Sequence, residues 1–181
     1  MRLFKENKLF KWYLERKGFL TQEECDKIIS EIKSQGTLKV KENGWDDVPN
    51  GKFVKLDNQK LSDSIFKCVK LANDLSFKLD ISGVQGCYGK EYYWNTFEES
   101  ETLHCDIQPG DITNTATKIT TILFLNDNYK GGELQIWDTK VKPEVGKLIM
   151  FPSFAGHKVK EFTTNDRYVV VTFIGGNHYV L

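Results

Sequence analysis

The chain has 181 residues, of which 40% are hydrophobic and 13% aromatic, so it is long and apolar enough to bury a core. This composition excludes a disordered chain, a collagen and a disulfide-stapled miniprotein. Lysine plus arginine number 25, as do aspartate plus glutamate, and this formal neutrality gives no general electrostatic case for a nucleic-acid or membrane-surface partner.

The sequence shows neither a membrane helix nor an export signal. No apolar run reaches the roughly 18 residues that a membrane helix needs, and residues 1–11 lack the apolar stretch of a signal peptide. The four cysteines, Cys25, Cys68, Cys87 and Cys105, lie far apart and favour free thiols. We therefore expect a cytoplasmic protein, since disulfides are rare in the reducing cytosol. The oligomeric state stays open.

The first eighty residues carry two helix signals. Thr21 followed by Glu24 forms a capping box, which predicts a helix start. A second helix is predicted from about Gln59 to Phe77, because apolar residues recur there at helical spacing. These residues are Leu61, Ile65, Cys68, Ala72, Leu75 and Leu79. Between the two helices, Leu38–Val40 and Phe53–Leu56 are expected to form short strands.

From residue 81 onward, short apolar runs with a period of two predict strands separated by turn signals. The predicted strands are Ile81–Tyr88, Thr117–Leu125, Glu133–Trp137, Lys147–Phe151, Lys158–Phe162 and Arg167–Ile174. We expect one structural domain that is mainly β: a sandwich or barrel over residues 81–181, supported by helices and short strands in residues 1–80. The segment Lys90–Thr102 is long, aromatic and acidic, and is expected to be a functional loop.

Two histidines and one aspartate are candidates for a metal site. His104 and Asp106 are two residues apart, so on a strand they point to the same face, about 7 Å apart along the backbone. His157 completes a set of two histidines and one carboxylate, which leaves positions open on Fe(II) for substrate and oxygen. Each signal alone has an ordinary alternative. His104 and Asp106 suit a solvated polar strand end, and His157 suits a hydrogen-bonded core or loop histidine.

Arginine is scarce in this chain, with Arg2, Arg16 and Arg167 among the 25 basic residues. Arg167 precedes an apolar strand. If a hairpin joins it to His157 through an odd-length loop (Thr164–Asp166), the two residues share a face, whereas a four-residue loop turns Arg167 outward. An exposed arginine is the alternative. A guanidinium on a buried strand needs a carboxylate partner, and we expect a ligand to supply it.

Six short motifs follow one another between Tyr88 and Gly175. They are His104-Cys105-Asp106, Gly131-Gly132-Glu133-Leu134, Pro143-Glu144-Val145-Gly146, Phe151-Pro152, His157 and Arg167. In this order and spacing they resemble the Fe(II)/2-oxoglutarate-dependent dioxygenases, in particular the prolyl 4-hydroxylase-like branch. The stretch Phe19–Cys25 is also similar to the family's usual opening. The two glycines have an ordinary role as well, as a turn with positive φ before a strand.

The resemblance implies a double-stranded β-helix (jelly-roll) core. It also implies a dioxygenase that uses Fe(II), 2-oxoglutarate as co-substrate and O2, with ascorbate as an accessory reductant. His104, Asp106 and His157 would bind iron and serve catalysis. Arg167 would anchor the distal carboxylate of 2-oxoglutarate.

Two further residues are expected in the co-substrate pocket. Tyr88 matches a family tyrosine that lines it. Many members have Tyr-Leu-Asn where this chain has Phe124-Leu125-Asn126, and that tyrosine hydrogen-bonds 2-oxoglutarate. Because Phe124 lacks a hydroxyl, we expect Thr120, on the same strand face, to substitute.

For the substrate, the resemblance implies a prolyl residue in a protein or peptide, and the acidic segment after Lys90 favours a basic peptide. A free amino acid or another small molecule stays open. A nucleic acid is not expected, because the branch that dealkylates nucleic acids carries a second arginine where this chain has Phe173. Two other classes remain. One is a cupin-like metal-binding protein without oxygenase activity, which Asp106 disfavours because cupins favour His-x-His. The other is an inactive sandwich that serves as an interaction module.

Overall fold

The computed structural model describes residues 12–36, 51–95, 103–107 and 116–177. Two α-helices, α1 (Gln22–Ser34) and α2 (Gln59–Ala72), precede most of the strands, and a π-helical turn (Asn73–Phe77) continues the second. Within these residues the strands are β1 (Leu14–Arg16), β2 (Gly51–Lys55), β3 (Gly83–Tyr92), β4 (Ala116–Phe124), β5 (Lys130–Gly131), β6 (Leu134–Ile136), β7 (Thr139–Val141), β8 (Leu148–Pro152), β9 (His157–Val159), β10 (Phe162–Thr163) and β11 (Arg167–Gly176).

The strands form two facing layers. The major sheet has the order β1-β8-β4-β11-β3-β2, with every neighbouring pair antiparallel. The minor sheet has the order β7-β6-β9, and β10 pairs with β5. Neighbours in the major sheet are distant in sequence, as in jelly rolls. The predicted mainly β sandwich backed by N-terminal helices is confirmed.

One apolar cluster lies between the two helices and the major sheet. Its buried members come from alternating positions of β4 and β11 and from one face of each helix, and they include Ile28, Ile32, Ile65, Val69, Ile119, Leu123, Val170 and Ile174. The capping box predicted at the start of α1 is confirmed: Thr21 N donates to Glu24 Oε2 over 2.9 Å, and Glu24 N donates to Thr21 Oγ1 over 3.3 Å. The two helices therefore cover one face of the major sheet, and the apolar side chains on that face are buried.

A second apolar cluster lies between the two sheets. On β4 and β11, its members alternate along the strand with those of the first cluster and point toward the minor sheet. The cluster includes Ile122, Phe124, Leu134, Ile136, Phe151 and Val169. Because both faces of β4 and β11 are covered, these strands read as continuous apolar runs. The polar candidates His157 and Arg167 are also buried, which sets them apart from their apolar surroundings.

The second helix is confirmed, but one member of its predicted apolar stripe faces solvent. Leu61 and Ile65 are buried as expected, whereas Leu75 is 85% exposed. Leu75 falls in the π-helical turn, whose wider hydrogen bonding changes the face on which a residue lies. Leu79, beyond that turn, again packs against the helix-side cluster, so Leu75 is the exception in the stripe.

Three strand predictions need correction. β3 continues to Tyr92, so Lys90–Tyr92 belong to the sheet and not to the expected loop. The predicted strand Lys158–Phe162 divides into β9 and β10, which pair in different places. The short strands β1, β5 and β7 were not predicted. The predicted strand Leu38–Val40, and residues 96–102 of the expected loop, lie outside the described residues.

The Gly131-Gly132 turn is confirmed, with φ values of 83° and 70°. A Cβ on Gly131 would collide with the carbonyl oxygen of Glu161, so the close approach also requires glycine. The proposed boundary at residue 80 stays a prediction. Strands from both sides of it share the major sheet, since β1 and β2 form its two edges.

Candidate functional site

The three predicted metal ligands lie together at one end of the sandwich. One ligand atom from each of His104, Asp106 and His157 lies within 4.8 Å of the others. The Nε2 atom of His157 is 3.4 Å from Asp106 Oδ2, and that of His104 is 3.7 Å from Asp106 Oδ1. The His104 side chain is 44% exposed, against 11% for Asp106 and 7% for His157, so the cluster is open on the His104 side.

Backbone pairing brings the two histidines together although they are far apart in sequence. His157 begins β9 and pairs with Ile136 of the minor sheet. On its other side it forms an isolated bridge with His104, with reciprocal N–H to carbonyl bonds of 3.1 and 2.9 Å. Asp106 N donates to the Ser153 carbonyl over 2.9 Å. This extended segment gives His104 and Asp106 the shared face that their spacing predicts.

The His157 ring is oriented for metal binding. Its Nδ1 atom lies 3.0 Å from the Ala155 carbonyl oxygen, which can only accept, so Nδ1 carries the proton and Nε2 keeps its lone pair. The Phe151 ring packs edge-on against it at a centroid distance of 4.7 Å. Two imidazoles and one carboxylate with an open side form the ligand set of non-haem Fe(II) oxygenases, so the residues present fit such an ion.

The Thr120 hydroxyl bonds one of the three candidate metal ligands. It donates to Asp106 Oδ2 over 2.7 Å and lies 3.0 Å from Ser153 Oγ. Thr120 and Ser153 are both buried, so the bond is protected from water. The hydroxyl pair therefore holds the carboxylate that faces His157. Contact between Thr120 and 2-oxoglutarate stays a prediction, and Ser153 is a residue that the sequence did not single out.

Arg167 lies at the inner end of the site and is 0% exposed. It begins β11, pairs with Tyr92 of β3, and its Cζ atom is 5.1 Å from the Tyr92 ring centroid and 5.6 Å from that of Phe124. The hairpin assumed in the sequence argument is wrong. β9 belongs to the minor sheet and β11 to the major sheet, so Arg167 and His157 face each other across the sandwich and are not on adjacent strands.

A single cavity of about 570 Å³ joins the two ends, with both the histidine–aspartate cluster and Arg167 in its wall. Tyr88 lines it, as expected, and its ring stacks on Phe53 at 4.7 Å and faces Phe173 at 6.1 Å. The cavity therefore has a cluster of metal-binding groups, a buried cation and an aromatic outer wall. Its volume is in the range of small-molecule sites.

Comparison with known proteins finds relatives that share part of this sequence. Residues 91–175 match the model of the 2OG-Fe(II) oxygenase superfamily, a stretch that includes the His-x-Asp motif, the distal histidine and Arg167. A PKHD-type hydroxylase of Alteromonas mediterranea is 29% identical over 150 residues. Over residues 91–175 the chain is similar to the 2OG-Fe(II) oxygenase superfamily. The alignment with that hydroxylase covers 75% of this chain and 61% of the relative, so the chain spans less than two thirds of the relative's length.

Solved structures of the superfamily share the fold. The viral collagen prolyl hydroxylase of Paramecium Bursaria Chlorella virus-1 superposes with a TM-score of 0.69 at 17% identity, over 92% of this chain and 97% of that one. A prolyl hydroxylase of Trichoplax adhaerens, in complex with a hypoxia-inducible-factor peptide fragment, gives 0.66 at 17%, over 90% and 83%. The jelly-roll fold implied by the resemblance is confirmed.

The described residues include no helix long and apolar enough to cross a bilayer. All four cysteines are free thiols, with Cys25 and Cys87 buried and Cys105 exposed beside the metal-ligand cluster.

Proposed function

We propose that this chain is an Fe(II)- and 2-oxoglutarate-dependent dioxygenase that hydroxylates a C–H bond and releases succinate and CO2. The observation that carries the proposal is the shared cavity: a two-histidine, one-aspartate cluster lies at one end and the buried Arg167 guanidinium at the other. The match of residues 91–175 to the 2OG-Fe(II) oxygenase superfamily supports it.

In this proposal each residue has a defined task. His104, Asp106 and His157 hold the iron, and Thr120 keeps the Asp106 carboxylate turned toward it. Arg167 binds the distal carboxylate of 2-oxoglutarate and so fixes how far the co-substrate extends into the cavity. When bound, iron and 2-oxoglutarate together supply the activation of O2.

We further propose a prolyl residue of a protein or peptide as substrate. The aromatic wall formed by Tyr88, Phe173 and the underlying Phe53 suits the apolar face of a pyrrolidine ring. The exposed side at His104 leaves room for a longer chain to approach. Two structures with the same fold bear the names of a collagen prolyl hydroxylase and of a prolyl hydroxylase bound to a peptide, which supports this class of substrate.

A free amino acid or another small acid is the second candidate. Lys90 lines the same cavity, and its ammonium group suits the carboxylate of a small acid. We also place the enzyme in the cytoplasm, a proposal supported by its four free thiols.

The test is succinate formation from 2-oxoglutarate in the presence of a peptide mixture, with and without added Fe(II) and ascorbate. We expect iron-dependent succinate from the native chain and background values from His104→Ala, whose exposed side chain can be removed with little effect on folding. Mass spectrometry of the peptides should show the gain of one oxygen on proline, and amino acids assayed in parallel test the second candidate. Succinate formation that needed neither iron nor His104 would exclude the oxygenase. Metal binding without succinate would favour a non-catalytic metal-binding protein.

A further inference from the structure

Two buried polar groups lie close together, and one of them, Arg167, is part of the cavity wall. Within the described part of the chain, the three guanidinium nitrogens of Arg167 and the hydroxyl of Tyr129 are buried and make no hydrogen bond of good geometry. The two groups are neighbours, since Arg167 acts on the Tyr129 hydroxyl both through its charge and through a hydrogen-bonding contact that is too poorly aligned to satisfy either group. A buried cation and a buried donor without partners are costly, and native proteins keep such groups for a reason.

The local structure holds the Tyr129 ring at this position. Tyr129 immediately precedes β5, and its ring lies 5.5 Å from that of Phe162, inside the cluster between the sheets. Gly132 makes room for it, since a Cβ there would lie 2.6 Å from the ring atom Cε2. The Gly131-Gly132 turn therefore both reverses the chain and permits the tyrosine to pack beside Arg167.

The hydroxyl is a neutral donor at physiological pH. Burial raises the pKa of Tyr129 above its ordinary value, an effect that the nearby Arg167 charge only partly opposes. A cation beside a neutral hydroxyl donor is complementary to a carboxylate, which can accept from both at once. A phosphate or a second cation would suit the narrow, enclosed pair less well.

We infer that Tyr129 and Arg167 together bind the distal carboxylate of 2-oxoglutarate, with Tyr129 supplying the hydroxyl that Phe124 cannot. The inference rests on the proposed function and assigns a second residue to its co-substrate site. The Phe124 ring stands against the same guanidinium, 5.6 Å from Cζ, so the hydroxyl comes from the turn after β4 and not from β4 itself. Tyr129 thereby contributes to the preference for a dicarboxylate of this length.

The test measures binding and not turnover, using protein loaded with Mn(II) as a redox-inert metal. Calorimetric titration compares 2-oxoglutarate with 2-oxopentanoate, which has a methyl group in place of the distal carboxylate. We expect Tyr129→Phe to lower the affinity for 2-oxoglutarate by about ten- to a hundredfold, because a hydrogen bond to a charged group is lost. The affinity for 2-oxopentanoate should stay within about twofold of the native value. The control is Tyr168→Phe, which removes a buried hydroxyl that bonds Glu91 on the other face of the sheet.

Three outcomes count against the inference, and they can be told apart. Equal weakening of both ligands would make Tyr129 a packing residue. Unchanged affinity for 2-oxoglutarate in a folded Tyr129→Phe protein would overturn the inference and leave the proposed function standing. If the native protein bound no 2-oxoglutarate, the proposed function itself would fail.

Discussion

The two ends of the cavity are built in different ways. The inner end is fixed by regular sheet: Arg167 begins β11, which hydrogen-bonds to β3 on one side and β4 on the other. The metal end is assembled from short pieces, namely the first residue of β9 and a segment that meets it through an isolated bridge between His157 and His104. The inner end is closed to solvent, whereas the metal end is open at His104.

The two ends also differ in whether their buried polar groups have hydrogen-bond partners. At the metal end, the polar groups already have partners, such as the Ala155 carbonyl for His157 and the Thr120 hydroxyl for Asp106. At the inner end, within the described residues, the Arg167 guanidinium lies beside aromatic rings and the Tyr129 hydroxyl, and it makes no hydrogen bond of good geometry. Removing a polar group at the inner end should therefore raise the free energy of unfolding and lower the affinity for 2-oxoglutarate. Removing one at the metal end should lower only the affinity for the metal.

Arg167→Met is the change with the largest expected effect. Methionine keeps the length of the buried side chain and removes the charge, so affinity for 2-oxoglutarate should fall roughly a hundredfold or more. In the absence of metal and co-substrate, the free energy of unfolding should rise by about 1 to 3 kcal/mol, because a buried cation without a carboxylate is removed. Calorimetry measures the first quantity and urea unfolding the second.

The exposed Arg16 supplies the matched control. Arg16→Met makes the same substitution on β1, at the edge of the major sheet, and should change neither quantity measurably. A destabilised Arg167→Met protein that still bound 2-oxoglutarate would show that the guanidinium is structural and that the two ends do not differ as described.

Two neighbouring threonines test the metal end. Thr120 donates to Asp106 on the cavity side, whereas the buried hydroxyl of Thr121, on the other face of β4, has no hydrogen bond within the described residues. Thr120→Val should lower metal affinity about ten- to a hundredfold, because the carboxylate loses the donor that orients it. Thr121→Val should leave metal affinity unchanged and keep or raise stability.

Metal titration of both variants, monitored by calorimetry with Mn(II), gives the comparison directly. The two substitutions are chemically identical and adjacent, so a general effect of valine on the strand would appear in both. Equal metal affinities for Thr120→Val and the native chain would show that the backbone bond of Asp106 suffices to hold it.

For the metal end, both the sequence prediction and the argument behind it hold. For the inner end, the predicted position of Arg167 holds but the argument behind it does not. The shared face of His104 and Asp106 follows from strand periodicity, a local rule that holds in the short extended segment. Arg167 was expected to face His157 through a hairpin, yet they face each other because two sheets pack together. Periodicity cannot reveal which sheet a strand joins, so the expected position was right and the expected pairing was wrong.

The contacts and residues that the sequence missed depend on tertiary structure. Thr120 was placed in the cavity by its strand face, but its partner Asp106 arrives from a separate segment. Tyr129 lies in a turn, where no periodicity indicates a direction. The signals that point to it are indirect: phenylalanine at position 124, where a hydroxyl is expected, and a glycine pair whose second member makes room for a ring.

The smallest expected effect concerns thiol reactivity, which reports how open each region is. Cys105 is exposed beside His104 and Asp106, whereas Cys25 is fully buried between α1 and the major sheet, where burial raises its pKa to about 11. The thiolate is the reactive form, so at pH 8 only about one in a thousand Cys25 side chains is ionised, and those are shielded. Iodoacetamide at pH 8 should modify Cys105 first, and peptide mapping should find Cys25 unmodified. The half-buried Cys68, whose pKa burial raises, should react more slowly than Cys105. Cys105→Ser should lose the fast phase of the reaction. Alkylation of Cys25 in the native protein would mean that the helix layer opens readily, and that the closed side of the major sheet is no more rigid than the metal end.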